Sequence, residues 1–88
     1  MDAKDSIKEW LTQLASGIVS HPEDLRLEVK TDEMGVLYTL SCNAEDSGKV
    51  IGRKGSTATA IRTLLTAAGM SKNIRASLKI AVPDFRNP

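Results

Sequence analysis

"GKVIGRKGSTATAIRTLL", Gly48 to Leu65, is the stretch that decides how this chain is read. Two glycines, Gly52 and Gly55, bracket the adjacent cations Arg53 and Lys54. Helical spacing flanks the turn: Val50 and Ile51 close a short apolar face before it, and Ile61, Leu64, Leu65 and Ala68 form one stripe after it. Glycine at both ends of a turn allows positive φ and lets a ligand come close to the backbone. The helix that follows starts with N–H groups that have no intrahelical partner and with the positive end of its dipole, both of which attract an anion. Exposed charges contribute little to folding, so Arg53 and Lys54 are hard to explain as a stability device, and a phosphate is the ligand that best fits. A G-x-x-G tetrapeptide by itself is common and usually marks an ordinary turn. Its weight here comes from what surrounds it.

Upstream, from about Asp5 to Val19, Ile7, Trp10, Leu11, Leu14 and Ile18 follow helical spacing, with Lys8, Glu9, Thr12 and Gln13 opposite. Trp10 on that stripe reads as a core or interface anchor. Pro22 ends the helix. "LRLEVK", Leu25 to Lys30, alternates strictly and predicts a half-buried strand; "TDEMG" is a loop, and "VLYTLSC", Val36 to Cys42, is a second strand completing a hairpin. Tyr38 reads as packing. In "NAEDSGKVIG", Asn43 can cap a helix start, Glu45 and Asp46 suit the positive end of its dipole, and Gly52 stops it. The later helix runs from about Ser56 to Ala68, with Gly69 a natural residue just past its end. "IRASLKIAV" alternates again, placing Ile74, Ala76, Leu78, Ile80 and Val82 on one face ahead of a loose tail, "PDFRNP". The order is helix, strand, strand, helix, helix, strand. This predicts an α+β fold in which a hairpin and a two-helix crossover build a mixed three-stranded sheet, one face packed by helices and the other open to solvent or a partner. One domain is expected over 1–88, its core from about 5 to 82 and its C-terminal tail at 83–88.

Composition narrows the function. Twelve Lys and Arg against eleven Asp and Glu leave a net charge of +1, so affinity for a polyanion must come from local placement. The charges among the first eighteen residues exclude the uninterrupted apolar segment of a signal peptide, and no span reaches membrane-crossing length. A single cysteine, Cys42, makes no internal disulfide and reads as a small buried core residue, and with the missing signal it points to the cytoplasm.

Other motif readings fail on register or on missing residues. Counted from Gly48, a nucleotide-binding P-loop needs glycine where Arg53 stands and Ser or Thr where Gly55 stands, and it needs a strand where this chain shows a helix pattern. His21 has no nucleophile or ligand set beside it, and the "PED" and "AED" carboxylates sit at element boundaries where capping explains them. No catalytic residue, metal, cofactor or small-molecule substrate is expected. Trp10, Tyr38 and Phe85 are the aromatic residues, and none lies in the motif, which argues against a base-stacking platform.

"VIGRKG" in its helix-turn-helix setting resembles the KH family of nucleic-acid-binding domains, and the αββααβ order is similar to the type II arrangement. "SHPEDLRLEV", "AEDSGKVIGRKG" and "AIRTLLTAAG" in succession look like the small single-KH RNA-binding proteins of bacteria, the KhpA family. The resemblance implies that Gly52 and Gly55 are the hinges of a clamp on single-stranded RNA, mRNA or small RNA, with Arg53 and Lys54 at the sugar-phosphate backbone. It further implies that Val50, Ile51 and the face of the second helix wall a groove and that residues of the second strand meet base edges. Lys49 before the loop and Arg62 on the following helix are placed in the same site as nearby charges, each of which also reads as a solvated surface charge, and Ser56 is placed there directly after the clamp. Lys72 and Arg75 add nearby positive charge. After its second glycine the family commonly carries a basic residue, a large aliphatic and another basic residue, where this chain has Ser56, Thr57 and Thr59; weak binding by one copy is expected. The implied role is post-transcriptional regulation or RNA chaperoning, with a homodimer, or a heterodimer with a larger KH-containing protein of the KhpB kind. The rival reading is a KH-shaped interaction adaptor. Gly17 and the small residues of "TAAG" suit close helix approach in that case, though turn and cap roles explain them equally well.

Overall fold

A computed structural model describes residues 2–81. The first helix, α1, is Ala3–Ser16, and it begins earlier than its apolar spacing shows because Asp2 accepts from the Asp5 N–H at 2.9 Å. It also stops earlier, at Gly17, after which Ile18 and Val19 turn back to donate to the Ala15 carbonyl. A Cβ at Gly17 would meet the Leu14 carbonyl oxygen at an ordinary 3.5 Å, so a cap role, and no close helix approach, explains this glycine. Pro22 opens a single 3-10 turn, Pro22–Asp24.

Strands β1 (Arg26–Asp32) and β2 (Gly35–Ser41) form the expected hairpin, tighter than the sequence suggested. Thr31 pairs with Val36 and Asp32 with Gly35, so only Glu33 and Met34 remain in the turn, and the Asp32 carboxylate accepts from the Met34 N–H. A 3-10 turn at Ala44–Asp46, capped by Asn43, leads directly into α2 (Ser47–Ile51). The glycine turn follows, then α3 (Ser56–Ser71) and β3 (Ala76–Ala81). Strand order is β1-β2-β3, with β2 antiparallel to β1 and parallel to β3. A parallel pair needs a long crossover, and α2, the turn and α3 supply it. The α+β architecture and mixed sheet are therefore those the pattern predicted. Val82 and the tail at 83–88 lie outside the described residues.

Alternation along each strand sorts the sheet into two faces. Val36, Tyr38, Leu40, Ala76 and Leu78 are buried under the helices, with Leu27 and Val29 of β1 half-buried beside them. Arg26, Glu28, Lys30, Ser77 and Lys79 stand exposed on the other face. Ile7, Leu11 and Ala15 of α1, Val50 of α2, and Ile61 and Leu65 of α3 complete the core, and Trp10 packs against it as expected. Tyr38 is fully buried, and its hydroxyl donates to the Lys4 carbonyl at 2.9 Å, which satisfies its polar end. Cys42 is a buried free thiol whose titration burial pushes up.

Two expectations about α3 change. The buried stripe is Ala58, Ile61, Leu65 and Gly69, whereas Leu64, on the flank of that stripe, remains 49% exposed. Gly69 is inside the helix rather than past its end, because a different residue caps it. Asn73 takes the left-handed conformation at φ 60°, the Asn73 N–H donates to Met70, and the Ile74 N–H reaches back to Gly69 at 2.8 Å, a Schellman arrangement built on asparagine. Gly69 serves packing: a Cβ there would lie 2.6 Å from the Ile74 carbonyl oxygen and 3.0 Å from Ala76 Cβ. In an open helix Gly→Ala stabilises by about 1 kcal/mol. At this position we expect Gly69→Ala to destabilise the fold by about 1–3 kcal/mol, the overpacking range, as read by urea unfolding.

Candidate nucleic-acid interface

The turn between α2 and α3 is shaped by three residues with positive φ. Gly52 ends α2 at φ 79°, ψ 172°, a region open essentially to glycine alone, and its N–H donates to the Gly48 carbonyl at 2.8 Å. A Cβ at Gly52 would stand 2.6 Å from the Thr57 backbone nitrogen and 2.3 Å from the Thr57 hydroxyl oxygen. Gly52 is thus required twice, by conformation and by the close pass of the next helix. Lys54 is left-handed at φ 56°, unusual for a residue with a side chain, and Gly55 follows at φ 77°, ψ 14°. Around Gly55 a Cβ would meet nothing within 4 Å. That glycine answers only to its backbone angle, and its bare surface faces open space.

Gly55 is also the N-cap position of α3, and no side chain there accepts from the helix's first N–H groups. The Ser56 N–H donates to the Arg53 carbonyl, and the next N–H groups, with the positive end of a sixteen-residue helix behind them, start beside Arg53 and Lys54. Arg53, Lys54, Ser56 and Arg62 are exposed, and none of the three cations forms an ion pair among the described residues. Arg62 lies two turns beyond Gly55 on the same face, roughly 10 Å along the helix. Ile51 and Thr57 are half-buried at the two sides of the turn. These residues form one exposed, locally cationic ledge at the start of α3.

Other residues expected at this site fall elsewhere. Val50 is 1% exposed and belongs to the core, so it backs the turn from inside and offers no surface to a ligand. Lys49 bends away from the turn: its ammonium donates to the Ser20 hydroxyl and sits 3.6 Å from the Asp46 carboxylate. The second strand is the central one, and its helix-facing residues Val36, Tyr38 and Leu40 are buried, so they do not present themselves to bases beside the helices. Lys72 and Arg75 follow the far end of α3, which runs roughly 24 Å from the turn, and they lie too far away to share a contact with it.

Asp46 is the residue whose role sequence reasoning missed. Its carboxylate was expected to favour the helix dipole, yet it is fully buried and makes no cap bond. Instead its two oxygens accept from the Ser20 N–H and the His21 N–H, each at 2.9 Å. No local signal marks that contact, because the donors lie more than twenty residues earlier in the chain. Next to it, His21 Nε2 is 3.0 Å from Glu45 and Nδ1 is 3.5 Å from Glu23, while Asn43 donates to Asp24. His21, Glu23 and Asp24 bring their ligand atoms within 4.8 Å of one another, an arrangement that exposed acidic groups commonly show without any ion.

Comparison with known proteins agrees with this fold. A family model described as the KhpA/KhpB KH domain matches residues 8–80. The chain belongs to that KH-domain family. Among curated relatives, "RNA-binding protein KhpA" of Leifsonia xyli is 45% identical over 65 residues, covering 74% of this chain and 86% of the relative. The protein of the same name from Chlamydia pneumoniae is 38% identical over 84% of this chain and 95% of its own length, and that of Lactiplantibacillus plantarum is 36% identical over 92% and 95%. Within this KH domain the glycine turn is the G-x-x-G loop. Among the described residues no helix is long and apolar enough to cross a membrane.

Two outcomes test the geometry. Gly55→Ala should cost roughly 1–2 kcal/mol, the left-handed strain alone, whereas Gly52→Ala should cost more because its Cβ also strikes the Thr57 backbone; thermal and urea unfolding measure both. The second outcome concerns pH. Burial opposes charge on Asp46, but the bonds from Ser20 and His21, helped by Lys49, outweigh it and hold the carboxyl below its ordinary 3.8. The bond to Glu45, against partial burial and with help from Glu23 and Asp46, holds His21 above its ordinary 6.5. A lowered acid stabilises the fold above its unfolded value and loses that contribution as pH falls through the folded one. A raised histidine stabilises below 6.5 and loses its contribution as pH climbs through the folded value. Stability followed by urea unfolding should therefore fall below about pH 4 and step down again above about pH 6.5, and His21→Gln should remove only the second step.

Proposed function

We propose that this chain binds single-stranded RNA by clamping its sugar-phosphate backbone at Gly52, Arg53, Lys54 and Gly55, with Ser56 and Arg62 extending the contact along α3 and Ile51 at its border. One observation carries the reading: two unpaired cations stand on a loop whose Gly55 leaves open space at its Cβ position, directly at the start of α3, which no side chain caps. Such a start holds an anion through N–H groups and dipole together, and the mobile cations add charge-assisted bonds at the same point. The names of the KhpA relatives support RNA as the polyanion. With no aromatic side chain at the loop, the recognition falls to phosphate and sugar contacts and to hydrogen bonds from the ledge, which makes it tolerant of sequence and sensitive to salt. Lys49 enters only if it leaves Asp46, and Val50 contributes by holding α2 in place. The role in the cell that this suits is post-transcriptional regulation or RNA chaperoning by a binding protein, with no catalytic step assigned.

A second reading, an adaptor that pairs with itself or with a larger KH protein, is favoured by Leu64 and Met70, which stand 49% and 72% exposed on α3. The two readings part at the loop. Labelled single-stranded RNA titrated with the native protein and with the double change Arg53→Asp, Lys54→Asp should show at least about tenfold weaker binding by the variant, since each charged hydrogen bond contributes about 1.5–3 kcal/mol. The slope of log affinity against log salt should also flatten by about 0.7 for each phosphate that the variant no longer neutralises. Equal binding by an equally folded variant would remove the clamp and leave pairing as the function.

A further inference from the structure

Asp46 occupies the N-cap position of α2, where an aspartate ordinarily accepts from the first N–H groups of its own helix. Here it makes no such bond, and its fully buried carboxylate holds the Ser20 and His21 N–H groups of the α1–β1 connector. Helix α2 has only five residues, far fewer than the roughly twelve an isolated helix needs to be marginally stable, so its direction has to be set by tertiary contacts. Asp46 and Val50 are four residues apart on one face of the α2 segment, and both are buried: one is bonded to the connector, the other is packed in the core. Two residues beyond Val50 the chain reaches Gly52. Between them these anchors hold the short helix at both of its ends.

We infer that Asp46 is a positioning residue for the glycine loop, its carboxylate fixing α2 against the Ser20–His21 connector so that Gly52 to Gly55 hold the Arg53 and Lys54 cations in one arrangement at the start of α3. This rests on the reading of the loop as the RNA site. Asp46 touches no ligand itself, and it acts through α2. Lys49, one turn along, completes the latch by sitting 3.6 Å from the same carboxylate and donating to the Ser20 hydroxyl. A positively charged side chain adjacent to the loop is thereby committed to holding the loop's base. Nothing else on the described surface offers the buried carboxylate a partner of that charge at closer range.

The test turns on the sign of an effect. Asp46→Asn keeps the shape, removes a negative charge close to the loop and releases Lys49; plain electrostatics then predicts tighter binding to a polyanion. Asparagine, however, has one carbonyl oxygen for two N–H donors and turns its own NH2 toward the other, so the latch loosens. We expect Asp46→Asn to bind fluorescein-labelled single-stranded RNA about five- to tenfold more weakly, and the amides of Gly52–Gly55 in the free protein to exchange with solvent faster while those of β2 change less. Asp46→Glu, which keeps the charge but moves the carboxylate by one methylene, should weaken binding in the same direction. A carboxylate serving stability alone would lower the melting temperature and leave the Kd of the folded protein unmoved, so affinities are measured with sucrose added to every protein until all are folded. Native or tighter affinity in Asp46→Asn, or full affinity in Asp46→Glu, overturns the inference. Should the native protein bind no RNA, the functional reading fails and the exchange rates alone decide: faster loop exchange in Asp46→Asn sustains the positioning role, and unchanged exchange overturns it.

Discussion

A carboxylate taken out of water has to find all its bonds within the protein, and Asp46 finds them in the Ser20 and His21 N–H groups and the nearby Lys49. That requirement ties together parts of the chain that are far apart in sequence. The end of the α1 region, the entry to β1 and the start of α2 meet at one buried charge, with His21, Glu45, Asn43 and Asp24 closing a polar ring around it. Below it the apolar core of Tyr38, Leu40, Leu11, Val50 and Leu65 fills the space between helices and sheet. The loop that follows α2 is held between this junction and α3, whose Ile61 and Leu65 are anchored in the core and whose Thr57 packs on Gly52.

Electrostatics is organised by pairing rather than by total charge. A chain with a net charge of +1 attracts no polyanion as a whole. Lys49 is neutralised against Asp46, His21 is bracketed by Glu45 and Glu23, and the cations that remain unpaired at the start of α3 are Arg53, Lys54 and Arg62. Three exposed cations therefore stand together at the start of α3, which no side chain caps. No aromatic side chain lies among the residues of the same ledge.

Close backbone approach divides the glycines by function. Gly52 lets α3 start hard against the end of α2, and Gly69 lets the other end of α3 meet the segment entering β3. These two contacts hold the crossover helix at both ends and set it over the sheet. Gly55 lies between them in sequence and answers to neither need. Its Cβ position is open, as is that of Gly48, so packing does not require it and its left-handed backbone angle alone does.

The elements were legible in the sequence because their signals are local. Strict alternation in "LRLEVK" and "SLKIA", helical spacing in α1 and α3, and glycine and proline punctuation specified the order of elements, and that order left a mixed sheet as the natural arrangement. Gly52, Arg53, Lys54 and Gly55 were legible for the same reason, since a loop's backbone needs and its charges are written in adjacent residues. What the sequence could not show is every feature that depends on contacts across the chain. Asp46 and Asn43 carry similar capping propensities, yet only the meeting of α2 with the α1–β1 connector decides that Asp46 bonds Ser20 and His21 while Asn43 caps locally. The same junction turns Lys49 inward, the central place of β2 buries one face of the second strand, and the meeting of α3 with β3 makes Gly69 a packing residue and leaves the cap to Asn73. Propensity is a property of neighbours along the chain, whereas burial and pairing belong to neighbours in space, and only the fold brings those together.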